Sequence, residues 1–179
     1  MKLKIPHFKI VILFLLVCGN NLTAQSNNLV VIDKDYEQKE KLLTKLPENV
    51  SVLNLDGTSN PWKTIRETLE QNKNIENIHL FAESASNSIT MGGIVYTNDM
   101  VETEFELSML EGLYESKNYQ LLLYTCNLPS SDSGLDLISK IGNMAYFNVA
   151  ASTKCTDVFD QLTFDYTSLN QPTVAPIFK

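Results

Sequence analysis

The sequence is poor in the residues that most often carry chemistry. Its 179 residues include two histidines, three cysteines and one tryptophan. No His/Cys/Asp cluster has zinc-ligand spacing, so no metal is expected. No glycine-rich loop opens a helix, and Gly92-Gly93 falls in a hairpin-like stretch, so no nucleotide or other cofactor is expected. The absence of a Gly-x-Ser-x-Gly elbow removes the serine hydrolases that use one. Positive charge is also short, with 14 Lys and Arg against 21 Asp and Glu and a net charge of −7. A surface of that sign repels nucleic acid and anionic lipid, which excludes both as partners, though it tolerates basic ones. No internal repeat or low-complexity run suggests an array or a stalk.

Long apolar runs are missing, with one exception. Ile10 to Cys18 is unbroken, but it falls short of the roughly 20 residues of a membrane span. Lys2, Lys4 and Lys9 surround its start, and small or polar residues lead to Ala24-Gln25. This is the pattern of a secretory signal peptide over residues 1–24. Leu22 is bulkier than such a cleavage site prefers. Lipidation at Cys18 is the rival, with Val17 larger than that site prefers. Cleavage after Ala24 removes three lysines and no acid, taking the length to 155 and the charge from −7 to −10. The expectation is a secreted, periplasmic or cell-surface protein with no membrane association after cleavage. Its mature part reads as a single α/β domain over residues 25–170 with an irregular tail at 171–179. Cys126 and Cys155 survive cleavage, and an even pair in an oxidising compartment often bridges.

Strands and helices alternate along the mature chain. NLVVID (28–33), VSVLNL (50–55), 75–82, 119–125 and 145–151 read as strands. Helices are expected over 35–46, from Asn60-Pro61 onward, over 98 to about 115 and over 131 to about 144. Residues 88–97 suggest a β-hairpin, and 162–166 a last edge strand. That alternation predicts a mostly parallel sheet covered by helices on both faces. Uninterrupted apolar runs such as LLLY fit burial on both sides. In open sheets of this kind ligands bind beyond the carboxyl ends of the strands. The residues there are Asp33, Asp56, Glu83, Cys126 and the segment 152–157.

Across NLVVID, VSVLNLDGTSNPWKTIRETL, IENIHLFAES, LLLYTCNLPSSDSGLDLISKIG and YFNVAASTKCTD, in that order, the chain resembles domain of unknown function 4347. That family is a branch of the caspase-like superfamily of gingipains, metacaspases and CHAT proteases. The resemblance covers about Asn28 to Tyr166 and implies a three-layer caspase-like sandwich. It also implies a His at the end of the third strand and a Cys at the end of the fourth, the imidazole serving the thiol that attacks a carbonyl. Cys126 stands at the nucleophile position. Glu83 replaces the histidine, and Ser84 the glycine after it. The only histidine of the mature chain, His79, lies within the strand, ~13 Å back from its tip.

Glu83 is a poor base for a thiol, since a carboxylate has a reference pKa near 4.3 and a thiol near 8.5. Its charge also disfavours thiolate, against the favourable amide end of the following helix. In a sheet of the implied topology the fourth and fifth strands are neighbours. A Cys126–Cys155 bridge at that rim would close a long loop and contribute roughly 3–4 kcal/mol. Cys126 also fits a small buried residue. Asp33, Ser84 and Asp157 are expected at the cleft rim, although a strand-end acid such as Asp33 also serves to cap the next turn. Trp62 reads as a helix anchor, and Glu102, Glu104, Glu106, Glu111 and Glu115 as a solvated helix face. The expectation is a secreted, non-catalytic caspase-like domain that binds a protein or peptide partner. The alternative is a cysteine endopeptidase or self-processing domain using Cys126 with an unconventional base. A third reading is a structural domain that assembles with a partner.

Overall fold

The apolar runs pair into one sheet. The computed structural model describes residues 27–111, 118–125, 127–154, 157–159 and 162–178. The expected signal peptide, Cys126, Cys155 and Glu115 lie outside the described residues. In chain order the elements are β1 (Asn28–Asp33), α1 (Lys39–Lys45), β2 (Ser51–Leu55), α2 (Pro61–Gln71) and β3 (Asn77–Phe81). Then come β4 (Ser84–Ala85), β5 (Ser88–Met91), β6 (Ile94–Tyr96), α3 (Asn98–Glu102) and α4 (Phe105–Ser108). The chain continues through β7 (Gln120–Leu123), α5 (Asp132–Ala145), β8 (Asn148–Ala151) and β9 (Tyr166–Thr167). The main sheet has the order β2-β1-β3-β7-β8-β9. Its neighbours are parallel except β9, which runs antiparallel to β8. β4, β5 and β6 form a small antiparallel sheet. The fold is therefore mixed α/β with a mostly parallel central sheet flanked by helices.

Alternation along the strands divides the core in two. Leu29, Val31, Ile78, Leu80, Leu121, Leu123 and Val149 face α2 and α5, meeting Trp62, Ile65, Leu69, Leu137 and Ile141. Val30, Ile32, Phe81, Leu122, Tyr124 and Ala150 face the other way. They lie against Leu42 of α1, Val158, Phe159, Leu162 and the partly buried Val174, Ile177 and Phe178. A sheet covered on both sides needs apolar residues at every interior position, which explains why its strands do not alternate with polar ones. Trp62 anchors α2 as expected: it is fully buried, edge-on to Tyr96 at 6.0 Å. Asn60 caps that helix, accepting from the Trp62 and Lys63 amides at 2.9 and 3.2 Å.

Three expectations are corrected. The helix expected from Asn98 to about Glu115 is broken into α3 and α4. Glu104 stands between them, accepting from the Glu106 amide at 3.0 Å and from Asn60 Nδ2. Phe105 and Met109 are exposed, while Val101, Leu107 and Leu110 are buried. The acids there are not simply a solvated face. Glu106 pairs with Arg66 at 2.9 Å and Glu102 with Lys140 at 2.6 Å, which ties α4 to α2 and α3 to α5. The last strand is Tyr166–Thr167, not 162–166; Phe164 packs against the second core instead.

Candidate functional site

β3 and β7 lie side by side in the register Leu80↔Leu123, so their carboxyl ends emerge together. Beyond β3, Glu83 and Ser84 lead into the small sheet. Beyond β7, Thr125 and Asn127 lead into a single 3₁₀ turn, Leu128–Ser130. The two ends are joined by side chains. The Ser84 and Thr125 hydroxyls are hydrogen-bonded, and Asn127 Nδ2 donates to the Ser84 carbonyl at 3.1 Å. α5 begins beside them, with Ser131 Oγ accepting from the Gly134 amide at 3.0 Å and donating to the Ser86 carbonyl. Gly134 is required there, because a Cβ would lie 1.7 Å from the Leu128 carbonyl oxygen.

Between these elements is a cleft of about 150 Å³, lined by Tyr36, Glu83, Ser84, Tyr124, Thr125 and Asn127 among others. Small-molecule sites usually run from about 300 to 1,000 Å³. This cleft is the size of one side chain. Glu83 is exposed at its mouth and accepts weakly from the Glu37 amide at 3.3 Å. The local field is negative. Burial pushes the Tyr36 hydroxyl up to about 12, and the charges of Glu83 and Asp157 add to that rise. The same field disfavours any thiolate formed nearby. Cys126 and Cys155, the expected nucleophile and bridge positions, lie outside the described residues.

The other expected rim residues separate. Ser84 lines the cleft. Asp157 turns to α1, accepting from the Phe159 amide at 3.0 Å with Lys41 Nζ 3.7 Å away. That amide, with the nearby lysine, holds its carboxyl below the ordinary range. Asp33 is corrected as a rim residue. It is fully buried, with Oδ1 accepting from the Asp35 amide at 3.0 Å and Oδ2 from the Gly92 amide. The carboxylate welds the end of β1 to the β5–β6 turn, where Gly92 has φ 60°. Replacing Asp33 with Ala strands the buried Gly92 amide and removes the acceptor of the Asp35 amide. It is expected to lower the unfolding free energy by about 2–3 kcal/mol, read by urea titration. Asp56 folds onto its own turn, accepting from the Thr58 amide and hydroxyl at 2.9 and 2.7 Å.

His79 lies within β3, two residues before its last residue, Phe81. It is buried in β3 on the face covered by α1 and the chain end. Its Nδ1 lies 2.9 Å from the Tyr124 hydroxyl and its Nε2 3.1 Å from Asn28 Oδ1. Burial lowers its pKa from 6.5 to about 4. Among the described residues no three His, Cys, Asp or Glu side chains converge as metal ligands. No helix among them is long and apolar enough to cross a membrane.

The sequence reading missed a polar row at the opposite, amino ends of the strands. The signal was present: β1, β3, β7 and β8 each begin with Asn or Gln. A family model described as domain of unknown function (DUF4347) matches residues 29–158. No curated protein and no solved structure matches the chain.

Proposed function

The chain belongs to the family of domain of unknown function 4347, and from that premise we propose that it is an exported, non-catalytic caspase-like domain that binds a protein or peptide partner. The observation that carries this reading is the contrast between Glu83 and His79. The strand end bears an exposed Glu83, while the one histidine among the described residues is buried with both nitrogens engaged. A carboxylate cannot deprotonate a thiol efficiently, and its charge raises the thiol pKa. The cleft fits one partner side chain, and its acidic mouth suits a lysine or arginine. The basic, apolar and small-residue pattern of residues 1–24 supports export as a secreted, periplasmic or cell-surface protein.

The test is the reactivity of Cys126. The native protein, reduced and then freed of reductant, is titrated with iodoacetamide between pH 6 and 9, with digestion to locate the label. A degenerate peptide library is incubated in parallel. Cys126 is expected to label no faster at neutral pH than an ordinary thiol of pKa about 8.5, and no peptide is expected to be cut. Rapid labelling at pH 6–7, or cleavage lost on Cys126→Ala, would sink the non-catalytic reading.

A further inference from the structure

Four neighbouring strands of the main sheet begin with an amide side chain, and the register sets these side chains in one row. Asn28 pairs with Asn77, Asn77 with Gln120, and Gln120 with Asn148. Side chains two apart share a face, so the row lies on the face that carries His79, Tyr124 and the chain end. At one end Asn77 Nδ2 and His79 Nε2 both meet Asn28 Oδ1, each at 3.1 Å. In the middle Gln120 Oε1 accepts from the Thr173 hydroxyl at 2.9 Å and the Val174 amide at 3.0 Å. At the far end Asn148 is 3% exposed, and neither of its amide atoms has a partner among the described residues. Buried polar groups are ordinarily satisfied, so such a row on an apolar sheet face calls for an explanation.

Two members of the row, Asn28 and Asn77, line a cavity of about 420 Å³, nearly three times the volume of the strand-end cleft at about 150 Å³. Asn27, Asn28, Asn49, Asn77 and His79 supply its polar wall, and residues 174–177 form its roof. No residue lining it bears an ionised side chain, on a chain whose net charge is −7. We propose that this cavity binds a neutral, hydroxyl-bearing molecule of about monosaccharide size.

Asn28 Oδ1 is already taken by Asn77 and His79, so Asn27, Asn49 and Asn77 are the amides of the wall that supply a carbonyl acceptor and N–H donors, and a hydroxyl is likewise both donor and acceptor. Pro47, Val50, Val174 and Pro176 supply an apolar strip that suits the C–H face of a sugar ring. A carboxylate or ammonium group would be desolvated there without a counter-charge. The volume falls within the range of about 300–1,000 Å³ common to small-molecule sites. The site lies at the opposite end of the strands from the cleft, so it does not depend on the function proposed above.

Saturation-transfer NMR on the purified protein tests the proposal. Glucose, galactose, mannose, N-acetylglucosamine and myo-inositol serve as neutral probes, with glucuronate and glucosamine as charged counterparts, each at about 10 mM, a concentration that reports millimolar affinity. Asn49→Trp at the mouth and Ala175→Trp in the roof block the cavity from exposed positions, and circular dichroism confirms that each variant is folded. At least one neutral probe is expected to give a signal that both variants reduce about tenfold or more, with the charged probes weaker by a similar factor. The proposal is overturned if no neutral probe gives a signal, if the signal survives both substitutions in folded protein, or if charged and neutral probes respond alike.

Discussion

Deleting residues 171–179 is expected to lower the unfolding free energy by about 5 kcal/mol, the largest effect of any change considered for this protein. Among the described residues, one face of the sheet has only the seven-residue α1 as regular helical cover. The rest of that cover is the loop carrying Val158, Phe159, Leu162 and Phe164, and the chain end. Phe178 lies with its ring 5.1 Å from Phe159, 6.0 Å from Phe81 and 6.4 Å from Tyr124. Val174 and Ile177 pack into the same cluster. Three partly buried apolar side chains contribute about 1–2 kcal/mol each. The hydrogen bonds from Thr173 and Val174 to Gln120, and from the Ile177 amide to the Tyr124 hydroxyl at 2.7 Å, add about 1 kcal/mol each. Ordering the segment offsets most of that sum, while the faces of Phe81, Tyr124 and Phe159 that it covers add to the loss when they are uncovered. Against a total of about 5–15 kcal/mol for a typical domain, the truncated protein would be marginal. The measurement is the urea midpoint of the truncated chain beside that of the full chain, with a hydrophobic dye to detect the uncovered aromatics. An unchanged midpoint would show that the segment rests on the sheet without supporting it.

That segment shows where the sequence can be read and where it cannot. Its prolines and lack of periodicity predict irregular backbone, and it has no repeating structure. Its role in covering the sheet depends on contacts with Gln120 and Tyr124, more than fifty residues earlier, which no local pattern reports. The parallel sheet is legible because apolar runs bounded by acids and turns recur at βαβ spacing. The break between α3 and α4 is not, because Glu104 is a good helix former whose side chain is committed to Asn60, on a distant element. The strand-end site is partly legible. Glu83 lies where the strand-end rule puts it, since that rule needs only the end of a strand. Asp33 obeys the same rule yet is buried, because the hairpin that supplies the Gly92 amide folds over it. The amide row is legible one strand at a time, but its alignment is a matter of register, which is set non-locally.

Lowering the pH from 7 to 4 is expected to destabilise the protein by about 3 kcal/mol through His79 alone. The hydrogen bonds assign its proton. Asn28 Oδ1 can only accept, which leaves Nδ1 to accept from the Tyr124 hydroxyl, whose oxygen also accepts from the Ile177 amide. Nε2 then carries the hydrogen and donates to Asn28 Oδ1, an atom that can only accept. A second proton on Nδ1 would displace the Tyr124 hydroxyl hydrogen from its acceptor, and it would place a charge in a site that is 2% exposed. Burial accordingly holds the folded pKa at about 4, against 6.5 for the free side chain. Between those values the unfolded chain binds the proton and the folded one does not. Stability therefore rises with pH across the interval and is lost as the pH falls through it. At about 1.4 kcal/mol per pH unit, the interval from 6.5 to about 4 gives the stated loss. The hydrogen-bonded carboxyls of Asp56 and Asp157 are held below 3.8, so their contribution disappears only at more acid pH. Urea titrations at half-unit steps from pH 7 to 4 should show the loss in the native sequence. In His79→Gln, which keeps a neutral donor and acceptor without a titrating ring, it should be reduced by about 3 kcal/mol. Parallel pH profiles for the two proteins would show that His79 is protonated in the folded state. The hydrogen-bonded chain from Asn28 through His79 and Tyr124 to Ile177 would then have to carry a charge that its donors and acceptors leave no place for.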